Sequence, residues 1–231
     1  MNNKIDELPP IMYAKLAGVL YLIIIVCGIS SEVFIRSTLI VAGDSAATVG
    51  NILAQESLFR LGFISDVIML ISDVAIAVIF YILLKPVSKT LAIMAAAFRL
   101  IQAAILGGNL LNYFTALVLL KGTGYASASD PDQLNTIVMS FLELHSLGYD
   151  LGLIFFGFSC LLTGYLVVKS GYFPVILGYG LAASGIVYLT GSYAAFMLPE
   201  LVTYLEPVYL IPLIAELAFC LWLFIKGVRV R

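Results

Sequence analysis

Charge is what this sequence has least of. Asp, Glu, Lys and Arg make up 11% of its 231 residues, against roughly 25% in soluble domains. That shortage excludes a water-soluble globular domain. The net charge of −2 and pI near 5.3 leave no basic surface for nucleic acid. A single histidine, His145, excludes a three-histidine zinc site and a haem held by two histidines. Cys27, Cys160 and Cys220 stand far apart with no Cys-x-x-Cys, and read as buried inert thiols. There is no glycine-rich phosphate loop with its lysine and no nucleophile elbow. No cofactor or metal is implied, and no catalytic motif argues for an enzyme.

What fills the sequence is apolar side chain: 62% of residues, with a mean hydropathy of +1.08. Six runs reach the roughly 20 residues a bilayer crossing needs. They fall at about 12–35, 59–84, 91–120, 136–168, 174–197 and 208–226. None has the period-2 alternation of a barrel strand, so each is expected to be a helix. The expected fold is all-α: a bundle of six transmembrane helices in the lipid bilayer, forming one integral membrane domain over residues 1–231.

Cation placement sets the expected orientation. Lys4, Lys15, Lys85, Lys89, Lys169, Lys226, Arg229 and Arg231 fall on one side, and Arg36, Arg60 and Lys121 on the other. Both termini are therefore expected in the cytoplasm. The N-terminal segment lacks a short apolar core with a small-residue cleavage site, so the first helix is read as a retained anchor. Asp44 is suited to cap a short helix with Val49, Ile52 and Leu53 as its apolar face, lying on the outer surface. Asp130-Pro131 carries the same start signal for the fourth span. Leu58–Phe63 and Leu144–Tyr149 match at an offset of 86 residues, which would make a parallel repeat.

The runs Phe59-Arg60-Leu61-Gly62-Phe63-Ile64-Ser65-Asp66, Phe98-Arg99-Leu100-Ile101-Gln102-Ala103-Ala104 and Gly152-Leu153-Ile154-Phe155-Phe156-Gly157 resemble a bacterial family of multi-pass membrane proteins, as does Lys169-Ser170-Gly171-Tyr172-Phe173-Pro174. That family is Domain of Unknown Function 4386. The resemblance covers most of the chain, from first helix to last. It implies six helices and a bacterial inner-membrane location. It carries no assigned activity, so no residue role follows from it.

The informative residues are the ionisable ones inside the apolar runs, which are costly at membrane depth and mark pathways, relays or ligand sites. Asp66, Asp73, Glu143, Asp150 and Glu216 are acidic, and Arg99 is the one cation placed to answer them. Asp66 and Asp73 are seven residues apart, on nearly the same helix face, and Glu143 and Asp150 repeat that spacing. Arg99, Gln102, Asn109 and Asn112 form a polar stripe on the third span. Counted from the cytoplasmic ends, Asp73, Arg99, Gln102 and Glu216 lie roughly 12–16 Å deep. Asp66, Asn109 and Asp150 lie roughly 27 Å in, with Glu143 and His145 at the outer rim. A polar track running inward from outside is expected.

Arg99 at this depth needs a carboxylate, and Asp73 and Glu216 are nearest by level. Such a pair is either a structural lock between helices or a ligand anchor or gate. The surplus acids, Asp66, Glu143 and Asp150, are expected to be neutral, hydrated or facing a cationic solute. His145 reads either as a hydrated interfacial side chain or as a proton relay with Glu143 or Asp150. Gly148-x-x-x-Gly152, Gly107-Gly108 and the series Gly178, Gly180, Gly185 and Gly191 point to close helix packing. Tyr179, Tyr188 and Tyr193 are core, interface or cavity aromatics.

These features favour binding or transport of a small cationic or amphipathic solute. Six helices are few for a carrier without an inverted repeat, so a homodimer is the expected assembly in that case. The alternatives are an intramembrane enzyme acting on a lipid-like substrate, and a non-catalytic sensor or assembly subunit whose polar groups only fix packing.

Overall fold

In the computed structural model, residues 8–122 and 130–228 are described. Lys4, Arg229 and Arg231, used above for orientation, lie outside the described residues. Six helices are long and apolar enough to cross a membrane: α1 (Pro10–Leu39), α3 (Glu56–Leu84), α4 (Lys89–Lys121), α5 (Pro131–Ser170), α6 (Val175–Met197) and α7 (Pro199–Ile225). A shorter helix, α2 (Ser45–Ala54), lies between the first two spans. Strands are absent among the described residues.

The ends of these helices are written locally. Proline occupies the first turn of α1, α5 and α7, where its missing N–H breaks no helical bond. Asp44 accepts from the Ala47 amide at 2.9 Å and starts α2, while Ser88 caps α4 through the Leu91 amide at 3.4 Å. Gly171 ends α5 at φ 66°, a left-handed conformation that suits glycine.

Each span packs on the next and α7 closes back on α1, so the six form a ring in chain order. One end of the ring is a core of Ala14, Leu84, Phe173, Leu223 and Val228, which places both described chain ends beside the turns after α3 and α5. The opposite end is built on Ile35, Ile52, Phe59, Tyr113 and Val138. Here Lys121 on α4 reaches Glu56 on α3 at 2.5 Å, and Glu56 also accepts from Arg60.

Four expectations change. α7 starts at Pro199 instead of near 208, through short helical turns over Pro199–Leu201, Val202–Leu205 and Glu206–Tyr209. α1 runs to Leu39 instead of ending near 35, because residues Ser30–Arg36 continue the helix as a π-helical stretch. α5 starts at 131, five residues earlier than expected, and at 1.5 Å per residue its 40 residues reach about 60 Å. That is about twice a hydrocarbon core, so α5 tilts or projects beyond it. α2 does not lie on the outer surface by an apolar face. Val49 and Ile52 are buried against Phe59, Tyr113 and Val138, and only Leu53 remains exposed. The Asp44 cap and the Thr48 hydroxyl, which donates to the Asp44 and Val41 carbonyls, tuck α2 under the ring.

Small residues set the closest approaches. A Cβ added at Gly164 of α5 would lie 2.6 Å from the Gly178 carbonyl oxygen of α6, and the converse distance is also 2.6 Å. A Cβ at Gly18 of α1 would lie 2.5 Å from the Phe224 nitrogen of α7. Gly148 and Gly152 sit against Asn109 and Leu106 of α4.

Replacing Gly164 by Val should force α5 and α6 apart and destabilise the protein by about 1–3 kcal/mol, the usual cost of overpacking. A Cβ added at Gly108 of α4 would meet nothing within 4 Å, so Gly108→Ala should be neutral or stabilising by up to about 1 kcal/mol. Thermal unfolding of the two purified variants in one detergent checks this. Equal melting temperatures would contradict the packing described.

Candidate functional site: an acidic cavity inside the ring

The interior is organised by two buried guanidinium–carboxylate pairs. On α4, Arg99 is 3% exposed and donates from Nε to Asp73 Oδ1 of α3 at 2.8 Å, with Nη2 2.5 Å from the same oxygen. Its guanidinium also lies over three aromatic rings, Phe156 at 4.9 Å, Tyr21 at 5.4 Å and Phe80 at 5.9 Å. Ring faces carry negative potential, so they replace part of the hydration the cation has lost. Of the two carboxylates that level alone offers to Arg99, Asp73 is the one that takes it.

The second pair does not show itself in the sequence. Arg36 lies at the end of the π-helical stretch of α1, where it donates to Asp66 Oδ2 of α3 at 2.7 Å and to Glu32 Oε2 at 2.7 Å. It is 6% exposed. Arg99 is thus not the one cation inside the bundle, and Asp66 is paired instead of surplus. The apolar run stops at about residue 35, which points to a loop for Arg36. The Glu32–Arg36 spacing of four, a common helical ion pair, is the signal that the helix continues.

Glu216 of α7 has neither arginine. It lies one turn past Pro212 and accepts from two phenols, Tyr21 Oη at 2.9 Å and Tyr188 Oη at 2.6 Å. Among the described residues no lysine or arginine reaches it within ion-pair distance. Tyr21 is shared: its ring lies under Arg99 and its hydroxyl holds Glu216.

On α4 and α5 the amides and the histidine interlock. Asn109 Nδ2 donates to the His145 carbonyl at 2.7 Å, Asn112 Nδ2 donates to Asn109 Oδ1 at 2.9 Å, and His145 Nδ1 lies 3.3 Å from the Asn109 carbonyl. His145 is 5% exposed, not a hydrated rim residue. With α5 starting at 131, it sits 14 residues in, about 21 Å along the helix. Its Nε2 is buried without a hydrogen-bond partner, as is Gln102 Oε1.

These elements surround a cavity of about 790 Å³. Glu143, exposed, and Asp150, half-buried, line it together with Glu32 and Arg36. Its buried lining includes Asp73, Gln102, His145 and Glu216. Tyr188 lines it as well, while Tyr179 and Tyr193 are 61% and 48% exposed on the outside of α6. Asp66 and Asn109 are not in its wall. Cys160 and Cys220 are buried free thiols and Cys27 is half-buried. Glu32 escapes the reading of the sequence, although it lies inside the first apolar run, 12–35, whose other charge is Lys15.

The fold and its interior define a multi-pass helical membrane protein with ionisable groups held inside the ring. The chain belongs to the family described as a domain of unknown function (DUF4386), whose model matches residues 16–227. It is similar to a protein of Archaeoglobus fulgidus described as uncharacterized, with 32% identity over 160 residues, 69% of this chain and 80% of that one. Similarity to this chain is therefore found outside bacteria. No solved structure matches it significantly.

The pairs make a mutational prediction. Asp73→Ala strands a buried guanidinium and should cost about 3–5 kcal/mol, whereas the double change Asp73→Leu with Arg99→Met removes both charges and should recover most of it. Melting temperatures of the single and double variants decide the matter. A double variant no more stable than Asp73→Ala would contradict the pairing.

Proposed function

We propose that this protein binds, and carries through the membrane, a small cationic or amphipathic solute, using the cavity inside its helix ring. The observation that carries this reading is the balance of charge around the cavity. Arg36 serves Asp66 and Glu32, and Arg99 serves Asp73. Glu143, Asp150 and Glu216 also line the space, and no ion pair reaches them among the described residues. Five carboxylates line the cavity against the single cation Arg36 among the described residues, and an excess of one sign of charge between apolar walls concentrates ions of the opposite sign. Its volume lies within the roughly 300–1,000 Å³ typical of small-molecule sites.

An amphipathic solute fits the seam between α1 and α7. These helices meet where Gly18 faces Phe224. Farther along, Ile25 and Ile29 of one and Pro212 and Leu213 of the other line the cavity. In the orientation argued from the cations, with both termini in the cytoplasm of a cell inner membrane, the end bearing Glu143 faces outward and is the way in. A homodimer is the assembly in which six helices per chain suffice for alternating access.

The test is uptake of organic amines into proteoliposomes under an imposed pH gradient or membrane potential. The wild-type chain should accumulate at least one amine above empty liposomes. Glu143→Gln, Asp150→Asn and Glu216→Gln combined should lower that rate by about tenfold or more, as loss of charge-assisted contacts implies. Uptake and binding unaffected by the triple change, or absent from the wild type, would contradict the proposal. The second result leaves a subunit whose polar groups only pack helices.

A further inference from the structure

We infer that the buried end of the cavity, formed by Glu216, Asp73 and Gln102, is a seat for the primary ammonium group of a small organic amine with an apolar body. This rests on the reading of the cavity as a solute site and narrows the class of solute.

The argument is a count of hydrogen-bonding capacity. An ionised carboxylate offers about four lone-pair positions. Glu216 uses one on each oxygen, for Tyr21 and Tyr188, and keeps the rest. Those phenol protons are committed to Glu216, so neither hydroxyl is free to donate to a solute through the same hydrogen. Asp73 Oδ1 accepts from Arg99 Nε, and Arg99 Nη2 lies within ion-pair distance of the same oxygen without a hydrogen bond. Gln102 is 4% exposed and lines the cavity, yet its Oε1 is buried with no partner. Leaving such an acceptor unmet costs about 1–3 kcal/mol, and the terminal amide torsion is soft enough to turn it toward a donor. The unfilled capacity in the cavity wall beside the negative charge is thus acceptor capacity on Glu216 and Gln102, while the buried donor Arg99 Nη2, also without a hydrogen bond, lies outside that wall in its pair with Asp73.

A primary ammonium answers that arrangement with three N–H donors and one positive charge. A quaternary ammonium has the charge and no donors. Carboxylates and phosphates have the wrong sign. A bare metal ion fits poorly as well, since no three His, Cys, Asp or Glu side chains gather closely enough to hold one among the described residues. Ile24, Ile25, Met69, Leu153 and Leu213 give the wall an apolar part that suits a hydrocarbon body. Tyr188 adds a ring on which a cation is also favoured.

The experiment titrates phenethylamine and its N,N,N-trimethyl derivative into the full chain in nanodiscs by calorimetry, with empty nanodiscs subtracted. The wild type should bind the primary amine about tenfold or more tightly than the trimethyl compound, the ratio expected for charge-assisted hydrogen bonds. Gln102→Met keeps the side chain's length and removes the acceptor. It should cut that preference to about threefold or less, with a melting temperature equal to or above wild type. Glu216→Gln should weaken both compounds. Equal wild-type affinities, or a preference that survives Gln102→Met, overturn the seat while leaving a cation-binding cavity standing. Binding of neither compound, together with absent amine uptake, overturns the solute reading as well.

Discussion

A guanidinium buried in a membrane bundle has to find its counter-charge inside the protein, and the structure is arranged around that requirement. Arg99 meets it with Asp73 and three ring faces, and Arg36 meets it with Asp66 and Glu32. Both pairs use α3, which is thereby tied to α4 by one and to α1 by the other. The seven-residue spacing of Asp66 and Asp73 puts both carboxylates on one face, so the same stripe serves two neighbours at two depths. Apolar packing alone distinguishes poorly between helix partners in lipid, where tails are as apolar as leucine. Polar pairs of fixed geometry supply a register.

The cavity follows from what those pairs leave over. Among the described residues no arginine pairs with Glu143, Asp150 or Glu216, and a carboxylate away from water and cations is expensive. The ring accordingly opens around them instead of closing. Glu216 is held by Tyr21 and Tyr188, and Tyr21 also stacks under Arg99. One tyrosine thus links the structural pair on α3 and α4 to the Glu216 carboxylate on α7. Any movement of Glu216 therefore has a direct mechanical path to the Arg99 pair, which joins α3 to α4.

Much of this is legible in the sequence, and the losses have physical causes. Run length points to six spans, the Asp44 and Asp130-Pro131 signals mark two helix starts, and level narrows the partner of Arg99 to Asp73 or Glu216. Arg36 is lost because hydropathy falls where a helix carries Glu32 and Arg36, although the two charges satisfy each other and let it continue. A π-helical stretch has no composition signature by which to foresee it. His145 falls at the rim when the polar start of α5, Pro131-Asp132-Gln133, is read as loop. Those five extra residues move the imidazole inward. The amphipathic face of α2 is visible in the spacing, but which surface it covers depends on tertiary contacts with Phe59, Tyr113 and Val138 that spacing does not encode.

The central claim is that the ring surrounds a hydrated space reaching Met69 and Asp73 of α3, and cysteine accessibility tests it most directly. Met69 of α3 lines the cavity and is 5% exposed, while Ile71, two residues on, is 66% exposed on the outer surface of the bundle. A thiol must ionise to react, and that requires water. With the three native cysteines replaced by serine, Met69→Cys in intact vesicles should be modified by a charged, membrane-impermeant thiosulfonate added on the Glu143 side. Ile71→Cys should stay unmodified in lipid. Modification at 71 and none at 69 would contradict the account.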